Sequence, residues 1–106
     1  MADTVEIWPI GTDAKVLISG ITDDAGAFIN DATVTGILKD ASGNPVTNAS
    51  ALTFTYITAS SGNYSGIIPY NADLLDGRVY TLVLTVVDGG AHALINITRN
   101  AGYNTL

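Results

Sequence analysis

Between Val79 and Arg99 the chain reads VYTLVLTVVDGGAHALINITR, and no other stretch restricts its folding so tightly. Tyr80, Leu82, Leu84 and Val86 alternate there with Val79, Thr81, Val83, Thr85 and Val87. A repeat of two is the side-chain period of an extended strand, not of a helix. The larger side chains lie on the Tyr80 side, which is therefore expected to face the core. Asp88, Gly89 and Gly90 follow, and glycine accepts the positive φ that a tight hairpin requires. A strand over Val79 to Asp88 is thus expected to pair antiparallel with one over Ala91 to Arg99.

The same alternation, punctuated by Gly, Asn, Asp and Ser, predicts strands near Val5 to Ile10, Lys15 to Ser19, Thr33 to Lys39, Leu52 to Thr58 and Tyr64 to Pro69. In LTFTYIT, for example, Leu52, Phe54 and Tyr56 oppose Thr53, Thr55 and Ile57. Seven short strands in a chain of 106 residues predict an all-β sandwich. Pro45 has no N–H to give a ladder, so KDASGNPVTNAS reads as a connection or an edge. GITDDAGAFIND is the least regular stretch, with a short edge strand expected at Ala27 to Ile29. In NADLLDG, Asn71 is a candidate N-cap and Gly77 a stop, which predicts one short helical turn around Leu74 and Leu75 closing an end of the sandwich. Residues 1–14 are expected to form an N-terminal arm or edge strand beside the domain over 15–106, and deletion of residues 1–10 is expected to abolish docking while the rest still folds.

Ten acidic residues against four basic ones give a formal charge of −6, a balance that repels phosphate backbones, so no nucleic-acid partner is expected. The absence of cysteine excludes disulfides, thiolate nucleophiles and Cys-based metal sites. No apolar run approaches the roughly 20 residues of a spanning helix, so no membrane partner is expected. MADTVEIWPIG lacks a basic region followed by an apolar core, which predicts synthesis in the cytoplasm without a secretory signal.

His92 is the sole histidine and follows the Gly89-Gly90 turn. A nucleophile needs a base beside it and a third group to orient the base. Ser61 and Ser65 lie in no nucleophile elbow, so no catalytic residue is assigned and the chain is read as a non-enzyme. Asp23, Asp24 and Asp31 with Asn30 offer oxygens to calcium. Their spacing matches no EF-hand, and solvated loop acids are the preferred reading, so no metal or cofactor is assigned. The sequons at Asn48, Asn63 and Asn96 are discounted as chance matches. Trp8 before Pro9 either covers the open end of the core or anchors into a partner, packing being preferred. The second face of the long strand is more apolar than a solvated face requires. Trp8, Ile10, Val79, Val83 and Val87 are accordingly the candidate partner-binding residues.

Three segments, TVTGILKDASGNPV, GNYSGIIP and GRVYTLVLTVVDGG, together resemble the small Ig-like proteins of the structural gene clusters of tailed bacteriophages and prophages. The shared patterns fall on Asp40, Gly43, Pro45 and Val46, then Gly62, Tyr64, Gly66, Ile68 and Pro69, then Gly77, Tyr80 and Leu82. The resemblance covers roughly residues 32–90 and implies an Ig-like antiparallel β-sandwich. It further implies a non-enzymatic virion part, a decoration or accessory subunit docked on capsid, head or tail proteins, with self-association among its contacts. It carries no catalytic residues. A carbohydrate- or cell-surface-binding module is the alternative, for which Tyr64, Tyr70 and Tyr103 are the available aromatic platforms.

Overall fold

A computed structural model of the chain describes residues 7–23 and 25–103. Its seven strands are β1 (Trp8–Pro9), β2 (Ala14–Ile18), β3 (Thr33–Asp40), β4 (Leu52–Tyr56), β5 (Tyr64–Ile68), β6 (Val79–Asp88) and β7 (Ala91–Gly102). They follow the expected segments closely, although Val5 and Glu6 of the first lie outside the described residues. The strands form one mixed sheet in the order β1-β7-β6-β3-β4-β5-β2, which curls until it is nearly a barrel. An Ig-like antiparallel β-sandwich was expected. The sheet instead runs on through β4, because Leu52 to Phe54 pair with β3 while Thr55 and Tyr56 pair with β5. Among the described residues the one parallel pair is β1 with β7.

Side chains from every strand meet inside the curl. Val16 and Ile18, Val34 and Leu38, Leu52 and Phe54, Tyr64 and Ile68, and the whole Tyr80, Leu82, Leu84 and Val86 row are buried. The larger-side-chain face of β6 thus lies in the core, as expected. The β6 to β7 turn is the two-residue hairpin forecast by DGG, with Asp88 opposite Ala91. Of its two glycines only Gly89 takes positive φ, at 62°, the pattern of a type II′ turn.

Phe54 is the side chain around which the curl tightens. On one side of β4, a Cβ on Gly36 of β3 would stand 3.1 Å from its ring; on the other, a Cβ on Gly66 of β5 would stand 2.8 Å from it. A bulky ring on the middle strand is admitted only because both flanking strands present glycine.

Two expectations are corrected. No helix forms at residues 71–77; the segment is a chain of tight turns, with Ala72 N–H donating to Pro69 O and Asp73 N–H reaching across to Thr47 O. That cross-link claims a backbone donor which a helical turn would have directed along its own axis. Leu74 still plugs the core at 7% exposure, whereas Leu75 stands 55% exposed. The edge strand expected at Ala27 to Ile29 shrinks to a single bridge between Thr22 and Phe28.

Candidate docking surface

The residues on which the resemblance rests all have structural duties. Asp40 Oδ1 accepts from Ser42 N and Asn44 N, Gly43 adopts φ 86°, Pro45 bridges to Lys39, and Val46 is buried. Gly62 adopts φ 71°, and a Cβ there would stand 2.5 Å from the Ile21 carbonyl oxygen. Tyr64 is fully buried, its hydroxyl donating to Ile29 O at 2.8 Å and accepting from Ala32 N at 3.1 Å. Tyr80 is buried and its hydroxyl accepts from Leu75 N at 2.9 Å. These patterns therefore build the fold, and the surface that could act lies elsewhere.

That surface is the outward wall of β3, β6 and β7. Register places Thr33, Val87 and His92 in one row, Thr35, Thr85 and Leu94 in the next, then Ile37, Val83 and Asn96, then Lys39, Thr81 and Thr98. Leu94 is 71% and Val79 40% exposed, while Ile37, Val83 and Val87 are half-buried among their neighbours. No aspartate or glutamate occupies an outward position on any strand of the wall. Every described acid sits in a loop or at the last residue of a strand, as do Asp40 and Asp88. A chain of charge −6 thus carries one long wall free of carboxylates.

Of the sequence candidates, Val79, Val83 and Val87 lie on this wall. Trp8 does not: its indole is fully buried and its Nε1 donates to Tyr80 O at 3.0 Å. It is a core residue, because pairing of β1 with β7 turns it inward opposite Ala101. Ile10 is half-buried against the same core, its N–H donating to Gly102 O. Of the two forms expected for the N-terminal segment, Trp8 and Pro9 take that of an edge strand. Ile37 and Leu94 were missed by sequence reasoning. Leu94 was within reach, since the two-residue turn places it opposite Thr85.

The other candidate chemistries are not assembled. His92 is exposed on β7, while Ser65 faces outward on β5, with β6, β3 and β4 between them in the sheet. Asp23 Oδ1 is occupied by the Ala25 and Ala27 amides, in the same arrangement that Asp40 uses in its own turn. Asn30 Oδ1 accepts from Gly62 N, and Asp24 lies outside the described residues. Among the described residues, no three His, Asp or Glu side chains gather as a metal site. Tyr64 is withdrawn from carbohydrate contact by its burial, leaving Tyr70 and Tyr103 exposed.

Burial raises the Tyr64 phenol above its ordinary value; the Ala32 amide lowers it, and the carboxylates of Asp31 and Asp88 raise it further. A raised folded value stabilises the protein below the unfolded pKa of about 10 and is lost as pH climbs through the folded value. Tyr64→Phe is expected to cost about 1–3 kcal/mol at neutral pH, since the Ile29 carbonyl and the Ala32 amide lose their partner. It should also flatten the fall of stability above pH 10, as read from urea midpoints measured between pH 7 and 11.

The molecule is thus a small all-β domain whose candidate site is a wall rather than a cleft. No family model, curated protein or solved structure matches the chain.

Proposed function

We propose that the chain is an Ig-like, non-enzymatic accessory subunit of a tailed-phage particle, docking on capsid, head or tail proteins through the outward wall of β3, β6 and β7. The Ig-like assignment is supported by connectivity. β2, β5 and β4 take the relations of one Ig sheet and β3, β6 and β7 those of the other. It is further supported by Tyr80 at the start of β6, whose hydroxyl bonds back to the Leu75 amide as a tyrosine corner does. The phage assignment rests on the resemblance of residues 32–90.

The observation that carries docking is the segregation of charge. Carboxylates crowd the loops while Ile37, Val83 and Leu94 lie in a field of threonines without them. Burying such a wall desolvates no carboxylate, the costliest group to strip of water at an interface. Many copies on one lattice make modest single contacts sufficient for retention.

The test is made on banded particles from the strain that carries the gene. Mass spectrometry is expected to find the chain at a constant number of copies per particle. Val83→Lys should reduce the retained copies at least about tenfold, a loss near 1.4 kcal/mol per contact, while shifting the melting of the free domain by less than about 1 kcal/mol. Particles that lack the wild-type chain, or that retain the lysine variant in full, overturn the reading.

A further inference from the structure

The strand directions sort the charges of the chain along the sheet. Lys15, Lys39, Arg78 and Arg99 all fall toward the end where β3 stops and β6 begins, beside Asp13, Asp40, Asp73 and Asp76. These are all the lysines and arginines of the chain, and four carboxylates balance them. The opposite end, where β6 turns into β7, holds Asp23, Asp31 and Asp88 and no lysine or arginine. Residues 7 and 103, at which the described chain begins and ends, both lie at the balanced end, away from the acidic one.

At the acidic end a groove of about 190 Å³ lies between the β2 to β3 loop and the β6–β7 hairpin, lined by Ile21, Ile29, Val86 and Ala93 with Asp23 and Asp88. Ile21 and Val86 are buried and make its floor, while Asp23 and Ala93 are exposed at its margin. The sequence opens it at one position: on the inward side of the ladder Ile97 faces Leu82 and Ile95 faces Leu84, but the next residue of that row, opposite Val86, is only Ala93. Asp23 is fixed in place, its Oδ1 accepting from Ala25 N at 2.9 Å and from Ala27 N at 3.0 Å, which presents its second oxygen without rearrangement. Among the described residues no hydrogen bond or ion pair claims that second oxygen or the Asp88 carboxylate.

We infer that this groove receives the side chain of a lysine or arginine presented by a partner protein. Its volume is below the roughly 300 Å³ at which pockets for drug-sized ligands begin, and suits a single side chain. A wholly apolar side chain would cover the floor but strip water from two carboxylates and give them nothing in return. A basic side chain satisfies both parts, laying its aliphatic stem on Ile21 and Val86 and bringing its charged head to Asp23 and Asp88. The net charge of this end draws such a partner in and is opposed by no cation of the chain itself. A second copy fits less well, because its cations arrive with four carboxylates among them. The inference stands on the groove and on the charge of this end, and does not depend on what the wall docks against.

The test is a titration of the isotopically labelled full chain, followed by NMR, with the N-acetyl methylamides of lysine, arginine and norleucine. The two basic compounds are expected to give saturable shifts at Ile21, Ile29, Val86, His92 and Ala93 with a Kd on the order of 1–10 mM. Norleucine, which keeps the stem and lacks the charge, should bind at least about tenfold more weakly. Asp88→Asn should weaken the basic compounds at least about threefold and leave norleucine unchanged. Ala93→Leu keeps every charge and fills the groove, so it should abolish the shifts. Both variants should stay folded by circular dichroism, since the Asp88 carboxylate holds no hydrogen bond among the described residues and Ala93 is exposed. No saturable shift, norleucine binding as tightly as lysine, or full binding by the Ala93→Leu variant overturns the inference. So does calcium chloride saturating these residues at lower concentration than the lysine compound, which would make the groove a metal site. Shifts that grow with protein concentration alone would assign it to a second copy and overturn it equally. These titrations use the free chain, so their failure and the absence of the chain from particles are separate results.

Discussion

Replacing Trp8 with alanine is expected to destabilise the protein by about 3–5 kcal/mol, a large share of the stability of a domain this size. The indole is fully buried, and its Nε1 is the donor to the Tyr80 carbonyl, 72 residues away in sequence. Truncation therefore leaves a cavity and an unpaired buried acceptor at once. Trp8→Phe separates the two terms: it restores much of the volume but not the bond, and should recover more than half of the loss. Urea unfolding followed by circular dichroism reads both, with Trp8→Ala costing less than about 1 kcal/mol as the result that would remove Trp8 from the core. The same burial revises the expectation of a removable arm. Deleting residues 1–10 takes away β1 and its tryptophan, and should unfold the domain rather than yield a folded one that no longer docks.

The second large effect is expected at Gly66. Alanine there places a Cβ 2.8 Å from the Phe54 ring, a distance that real Cβ contacts essentially never reach. On the opposite side of the ring Gly36 presents backbone alone, where a Cβ of its own would stand 3.1 Å away, so the phenyl group is held between two glycine backbones. Gly66→Ala is expected to cost about 1–3 kcal/mol as overpacking. Phe54→Leu costs stability by itself, yet in its presence Gly66→Ala should become nearly neutral, a coupling on the order of 1 kcal/mol or more in a double-mutant cycle. Additive costs would show that the glycine matters for its backbone instead. Gly62→Ala is the contrast, since its Cβ would meet the Ile21 carbonyl at φ 71° and no side-chain truncation relieves it.

The legible part of the fold was the part encoded locally. Alternation from Val79 to Val87 fixed which face of β6 is inward, and Asp88-Gly89-Gly90 fixed the register of β7 to the residue. At NADLLDG the local signals for a helical turn were outweighed by a distant partner, since the Asp73 amide is claimed by Thr47. Trp8 was a choice between core and partner that the sequence left open, because only the parallel pairing with Ala101 turns it inward. The glycines of GNYSGIIP were visible as a pattern, but the cause at Gly66 is the Phe54 ring on the neighbouring strand.

Val79, Val83 and Val87 could be named as a surface candidate because their strand reveals its own two faces. The wall they belong to became visible only when β3 was laid against β6, bringing Ile37 beside Val83. Side-chain periodicity is a property of one segment and is written in its residues. Which strands lie side by side, and whether the sheet runs on through β4 into a near-barrel, depends on pairings between residues far apart in the chain, and no local pattern records those.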